Sequence, residues 1–267
     1  MTALTLLSVP IVILILFEST IGFVLGQQEY SFVTSWGSEG TGEGQLKLPH
    51  GVDIDSSGNV YVVDTDNYRV QKFDSNGKFI TMWGSKGSGE GQFMDLHGID
   101  VDSSGNVYVS DTDNHRIQKF TSDGKFITMW GSEGAGKGQF NRPHTLAVDS
   151  SDNVYVADGR NDRIQKFDSN GNFITMWGSK GSGEGQFDDP EAPAVDSSGN
   201  VYVCDTKNHR IQKFDSNGKF ITMWGSEGTG EGQFVHQHGI EVDPSGNNVY
   251  VADQERNTVQ KFSIGGR

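Results

Sequence analysis

The sequence predicts an all-β protein, a five-bladed β-propeller, and three observations predict it. Trp36, Trp83, Trp130, Trp177 and Trp224 recur every 47 residues without drift, which marks one folding unit stacked several times. Each unit alternates β-branched and aromatic segments with Asp, Asn, Ser and Gly turns, and no sustained helical period interrupts them. The two ends read as halves of one blade. The last unit stops near Phe262 without its fourth strand, and residues 31–36 resemble a fourth strand with no blade before them. The expected ring is therefore closed by the N-terminal strand completing the last blade, which hides both sheet edges.

The first unit shows the pattern for all five. A glycine-rich stretch over 37–45 precedes the segment Leu46, Lys47, Leu48, Pro49 and His50. Strand a is expected over 51–55, b over 60–64, c over 69–74 and d over 78–83. Asp55, Ser56, Ser57, Gly58 and Asn59 form one hairpin turn, and Asp74, Ser75, Asn76 and Gly77 the other. They supply the local hydrogen bonds and positive φ that tight hairpins need. Phe79, Ile80, Met82 and Trp83, with their copies, are expected to fill the space between blades. Asp64 and Arg69, with their copies, are expected to clasp the b–c loop; Thr258 stands in the arginine position of the fifth unit. Cys204 occupies a position filled elsewhere by Val63, Ser110, Ala157 and Ala252, so it reads as a small buried residue.

Composition excludes several classes. The 267 residues carry a net charge of −14, which opposes binding to nucleic acid or anionic lipid. A single cysteine rules out an intrachain disulfide framework. Residues 1–26 differ in kind: residues 6–17 are almost wholly apolar, and Gly26 offers a small-residue cleavage site. They read as a signal peptide, with an uncleaved membrane anchor over 5–25 as the alternative. Either way the propeller, 27–267, is expected outside the cytoplasm as a monomer, touching a membrane only through an uncleaved N-terminal segment.

Gly91-Gln92-Phe93, Pro49-His50-Gly51, the run from Asp102 to Val109 (DSSGNVYV) and the run from Asp111 to Phe120 (DTDNHRIQKF) closely resemble NHL repeats. The resemblance covers 30–267 and recurs five times. It implies a propeller, often six-bladed in that family where this chain has five units. The family spans partner-binding modules of ubiquitin ligases, RNA-binding domains, extracytoplasmic sensors and a secreted zinc lyase. No Cys/His array for ligase activity is present here, and the acidic charge disfavours an RNA-binding face.

The a–b and c–d hairpins scarcely change between units, but the d–a and b–c connections do. The d–a series reads LKLPH, FMDLH, FNRPH, FDDPE and FVHQH; the b–c series reads TDNY, TDNH, GRND, TKNH and QERN. In an up-and-down blade both connections lie on one face, where binding residues concentrate. That face carries the candidate ligand-binding residues His50, Tyr68, His97, His115, His144, Arg160, Glu191, His209, His236 and His238. Five of them, His50, His97, His144, Glu191 and His238, hold equivalent positions at the start of strand a and should ring the channel mouth. Imidazoles and a carboxylate are metal-ligand chemistry, and zinc is the expected ion if one binds. In the bland alternative these histidines only cap strand a. The zinc lyase of the family uses histidines at this place, yet its b–c-loop tyrosine and its disulfides have no counterpart here.

Three functions compete. The first is a non-enzymatic, extracytoplasmic binding or scaffold propeller holding a protein, carbohydrate or extended ligand on the variable face, with no catalytic residue assigned. The second is a metal-dependent hydrolase or lyase acting at the channel mouth. The third is a structural cell-surface component.

Overall fold

The structure, a computed structural model, describes residues 32–243 and 246–263. The expected signal peptide or anchor over 1–26, and Ser31 of the expected closing strand, lie outside them. Five antiparallel sheets follow one another along the chain, each in sequential strand order. The first comprises β1 (Pro49–Ile54), β2 (Val60–Asp64), β3 (Arg69–Phe73) and β4 (Phe79–Trp83). The second holds β5 (Leu96–Val101), β6 (Val107–Asp111), β7 (Arg116–Phe120) and β8 (Phe126–Trp130). The third holds β9 (Pro143–Val148), β10 (Val154–Asp158), β11 (Arg163–Phe167) and β12 (Phe173–Trp177). The fourth holds β13 (Pro190–Val195), β14 (Val201–Asp205), β15 (Arg210–Phe214) and β16 (Phe220–Trp224). The fifth has β17 (Gln237–Val242), β18 (Asn248–Asp253) and β19 (Thr258–Ser263). The first strand of every blade lines a common channel, with Val52, Ile99, Leu146, Pro193 and Ile240 on its wall.

Each strand begins where its chemistry dictates. Asp102 Oδ1 accepts the amides of Ser104 and Asn106, and its Oδ2 accepts Tyr108 Oη at 3.0 Å. Gly105, at φ 81°, makes the left-handed step that closes this hairpin. The carboxylate is thus saturated by its own turn, as a hairpin reading of that segment requires. Between second and third strands the chain makes one turn of 3₁₀ helix, which ends in a left-handed residue: Tyr68, His115, Asp162 and His209 lie at φ 51–55°. The first strands start earlier than expected, at Pro49 and its equivalents, and slip register just after the histidine position. The ring residues are therefore strand residues beside a bulge, a device that re-aims side chains.

The Asp–Arg clasp is present and larger than expected. Asp111, fully buried, accepts Arg116 Nε at 2.7 Å, Gln118 Nε2 at 3.0 Å, Asn114 Nδ2 at 2.9 Å and the Met94 amide at 2.8 Å. Arg116 continues to the carbonyls of Ser88, Gly89 and Gln92. The glycine-rich stretch is pinned at its carbonyls by this arginine. In the fifth blade Arg256, two residues before Thr258, takes over: it donates to the carbonyls of Thr229, Gly230 and Gln233.

Blade packing follows Trp and Phe. Tyr61, Val63 and Val70 of the first blade pack with Phe93, Leu96, Ile99 and Phe120 of the second. Trp83 lies 5.8 Å from Phe120 and against Gly124, where a Cβ would meet the indole at 2.6 Å. Strand d alternates, so Ile80 and Met82 face outward and are exposed; only Phe79 and Trp83 lie toward a neighbouring blade. The pleat turns Met82 away from Trp83, and a slip in register that leaves Ile80 unpaired turns Ile80 out. Cys204 is buried as expected, and burial drives its thiol well above the ordinary range.

The described residues show the ring without its expected closing strand. The fifth sheet has three strands, and 32–36 form none. Trp36 instead sits on the first blade, 6.0 Å from Phe73 and against Gly77, as Trp83 sits on the second. A seam results between the fifth and first blades. Val259 is 67% exposed, whereas its equivalents Val70, Ile117, Ile164 and Ile211 are all at 0%; across the seam Val52 is 64% exposed.

Two outcomes follow from this packing. Gly124→Ala, with a Cβ at positive φ driven into Trp83, should cost more than about 1 kcal/mol in urea unfolding. Amides of β19 should exchange with solvent well before those of β7, β11 and β15 in a hydrogen-exchange experiment, since the seam leaves them the least covered.

Candidate functional site

The bulged starts of β1, β5, β9, β13 and β17 bring His50, His97, His144, Glu191 and His238 to one end of the channel, and His50, His97 and His238 line its space of about 390 Å³. His50 and His97 stack at 4.5 Å. His97 meets His144 edge-on at 5.6 Å, and His50 lies 5.7 Å from His238. Glu191 Oε2 is 3.0 Å from His238 Nε2. The expected ring is thus assembled, and His236 joins it: its ring is 5.3 Å from His238, and its Nε2 is 3.7 Å from Glu191 Oε1.

His236 reaches the mouth because its backbone differs. Its equivalents Leu48, Asp95, Arg142 and Asp189 are all left-handed, at φ 51–59°, and His236 is not. In the third and fourth blades that left-handed residue is capped from the preceding blade. His115 Nδ1 accepts the Arg142 amide at 3.1 Å, and Asp162 Oδ1 the Asp189 amide at 3.0 Å. His236 gives its amide to Asp253 instead. The equivalent cap, His209, keeps a buried Nδ1 without a partner.

The other candidate residues stand apart from the ring. Tyr68 packs between the first two blades under the ammonium of Lys86. His115 spends a nitrogen on the cap just described. Arg160 lies on a polar groove of about 600 Å³ with His144, Asp162, Lys180, Asp189 and Lys207. The lysines there are engaged, Lys180 with Asp162 and Asp188, Lys207 with Asp189. Arg160 makes no ion pair among the described residues.

Sequence reasoning missed a second tier of acids one turn of pleat down the channel. Asp53 and Asp100 occupy equivalent positions, with Glu241 in the fifth blade and alanines, Ala147 and Ala194, between. Asp53 Oδ2 accepts the Val101 amide and Asp100 Oδ2 the Val148 amide, both at 2.8 Å. These two carboxylates each brace the next blade, whereas Glu241 accepts the amide of its own neighbour Val242. Burial, with the Asp53 charge beside it, pushes Asp100 well up. The signal was available: the residue three after each ring position is acidic in three units.

Electrostatics divides the histidines. Burial, with His97 and His238 nearby, holds His50 below the ordinary imidazole value, and burial lowers His144 too. Contact with Glu191 raises His238. Among the described residues, four of the buried side-chain atoms without hydrogen-bond partners are the indole nitrogens of Trp83, Trp130, Trp177 and Trp224; the other five are His97 Nδ1, His144 Nδ1, His209 Nδ1, Glu191 Oε2 and Gln237 Oε1. All five lie on the variable face, at or beside the mouth. Unsatisfied buried groups call for an explanation, and here they concentrate where a ligand would enter.

The two classes of histidine predict opposite pH behaviour. On acidification the unfolded chain protonates His50 before the folded one does, so His50 destabilises the fold as pH falls below about 6.5. His50→Asn should therefore lessen the drop in Tm between about pH 7.5 and 5.5. His238 is raised, so its contribution is present at low pH and lost as pH rises through its folded value. His238→Asn should lower Tm more at about pH 6 than at about pH 8.5.

Comparison with known proteins bears on the fold and on its kin. The profile of the NHL repeat matches residues 46–73, 93–120, 140–167, 187–214 and 238–262. NHL repeat-containing protein 3 of Homo sapiens is 39% identical over 49 residues, 18% of this chain and 14% of that protein. The chain thus matches well under two thirds of that relative's length. A nidogen/laminin complex structure contains a chain similar with TM-score 0.63 at 18% identity, covering 82% of this chain and 77% of that one. A catalytically inactive H270A virginiamycin B lyase from Staphylococcus aureus, solved with quinupristin, aligns with TM-score 0.56 at 15% identity over 82% of this chain and 71% of the lyase. These likenesses in structure carry the propeller architecture alone.

Proposed function

The chain belongs to the NHL-repeat family, and we propose that it is a non-enzymatic binding propeller that holds a protein partner on the face built from its d–a and b–c connections. One observation carries the reading: among five copies of one unit, diversity is concentrated on that face, while the opposite hairpins repeat almost unchanged. A scaffold kept rigid by identical blades, with unlike segments on one side, is the arrangement of a single asymmetric site. The orphaned histidine, glutamate and glutamine atoms lie on the same side. A propeller of similar fold is found in a nidogen/laminin complex, a precedent for protein partners. The apolar stretch at 6–17 supports an extracytoplasmic setting for this role.

A metal-dependent hydrolase or lyase is the second reading, and one observation favours it: two imidazoles and a buried carboxylate converge at the channel mouth.

The two faces give the test. Arg160→Glu and Tyr68→Ala alter the variable face; Lys125→Glu and Lys219→Glu alter the constant hairpins. In affinity capture from the native extracellular fluid, the first pair should weaken partner recovery about 30-fold, the scale of an interface hot spot, and the second pair should leave it unchanged. Equal loss from both faces, or a stoichiometry near five partners per chain, would overturn the reading.

A further inference from the structure

We propose that Glu191, His236 and His238 form a site for one divalent transition-metal ion, Zn²⁺ first among them, at the junction of the fourth and fifth blades. The site goes beyond partner binding, which the loops would perform with or without an ion.

Each residue offers one ligand atom, and these atoms all lie within 4.8 Å of one another. Two imidazole nitrogens and one carboxylate oxygen match the protein ligands of open zinc sites and leave a coordination position for water or a ligand group. The carboxylate is not a surface acid. Glu191 is 5% exposed, and its Oε2 has no hydrogen-bond partner. That oxygen sits 3.0 Å from His238 Nε2, within ion-pair reach. A buried carboxylate oxygen without a hydrogen bond is costly, and a cation between it and the two imidazoles would satisfy all three.

A supporting carboxylate is also present. Glu255 Oε1 lies 3.6 Å from His236 Nδ1, on the far side of the ring from Glu191. Carboxylates at that position orient ligating histidines and raise their basicity.

The set arises at one junction only. Glu191 stands where every other blade has His50, His97, His144 or His238. His236 stands where the others have Leu48, Asp95, Arg142 or Asp189, and it alone escapes the left-handed backbone there. One ion per chain follows, not an ion shared by the whole ring. His50, His97 and His144 pack ring against ring beside the site.

The test is competition for Zn²⁺ between the full chain, stripped with chelator and dialysed, and a chromogenic chelator. One equivalent is expected to bind. Glu191→Gln and His236→Asn should each weaken binding about 100-fold or more, and Glu255→Gln about 10-fold, the range of outer-shell losses. His97→Asn should leave binding unchanged. Co²⁺ in place of Zn²⁺ should give the visible absorption of a low-coordinate nitrogen–oxygen site in the parent chain and not in His236→Asn. If Glu191→Gln fails to fold by circular dichroism, His236→Asn decides, because His236 lies at the rim and is only half-buried. No stoichiometric binding, binding that survives both ligand substitutions, or equal loss in His97→Asn would each overturn the proposal. Absent binding would leave Glu191 and His238 as a plain ion pair and the partner-binding reading untouched.

Discussion

The architecture depends on a buried carboxylate at the end of each second strand. Asp64, Asp111, Asp158 and Asp205 are wholly buried, and a buried charge survives only with its lone pairs filled. Each is filled from three directions. The third strand supplies an arginine and a glutamine, the b–c turn an asparagine, and the d–a connection a backbone amide. One side chain therefore ties both variable connections of a blade to its rigid strands. The arginine then spreads its remaining donors over carbonyls of the glycine-rich stretch. Glycines there leave the carbonyls bare and close enough to be reached.

The channel mouth inherits its geometry from this anchor. With the d–a connection held, the first strand must enter at a fixed place, and its early bulge aims the ring residue across the channel. Five similar entries gather the five side chains at one end, where His144, His97, His50, His238 and Glu191 follow one another in contact. The fifth blade then breaks the pattern. Thr258 replaces the arginine, Arg256 covers the carbonyls from another position, and Asp253 holds the amides of Val235 and His236. That exchange frees His236 from the left-handed backbone of its equivalents and leaves the His209 cap unused. A small change in hydrogen bonding at one anchor thereby makes the mouth asymmetric.

Stacking has a cost at its ends. Four junctions bury Val, Ile, Tyr and Phe from both sides, and the apolar faces of the fifth junction stand open at Val52 and Val259. At its inner end the same junction nearly meets, with His50 and His238 5.7 Å apart. Trp36 already occupies, on the first blade, the place a preceding strand d would give it. The seam is thus complementary in chemistry on its two sides: apolar side chains, one indole in position, and a sheet edge at β19.

Period, turn chemistry and strand order were legible in the sequence because they are local. Trp at every 47th residue, Asp-Ser-Ser-Gly-Asn turns and alternating apolar positions each act over a few residues, and five copies repeat the message. The shared face of the variable connections and the ring of His50, His97, His144, Glu191 and His238 followed from that topology alone. What lay beyond it depended on neighbours. That the glycine-rich stretch is pinned, and that Arg256 substitutes for a missing arginine, were decided by contacts between segments some 25 residues apart. The acids Asp53 and Asp100, and the pairing of His236 with Glu191, join residues 45 or more apart, from different blades. A sequence names the side chains that can bond; only packing, which sets burial and brings distant blades together, decides which ones do.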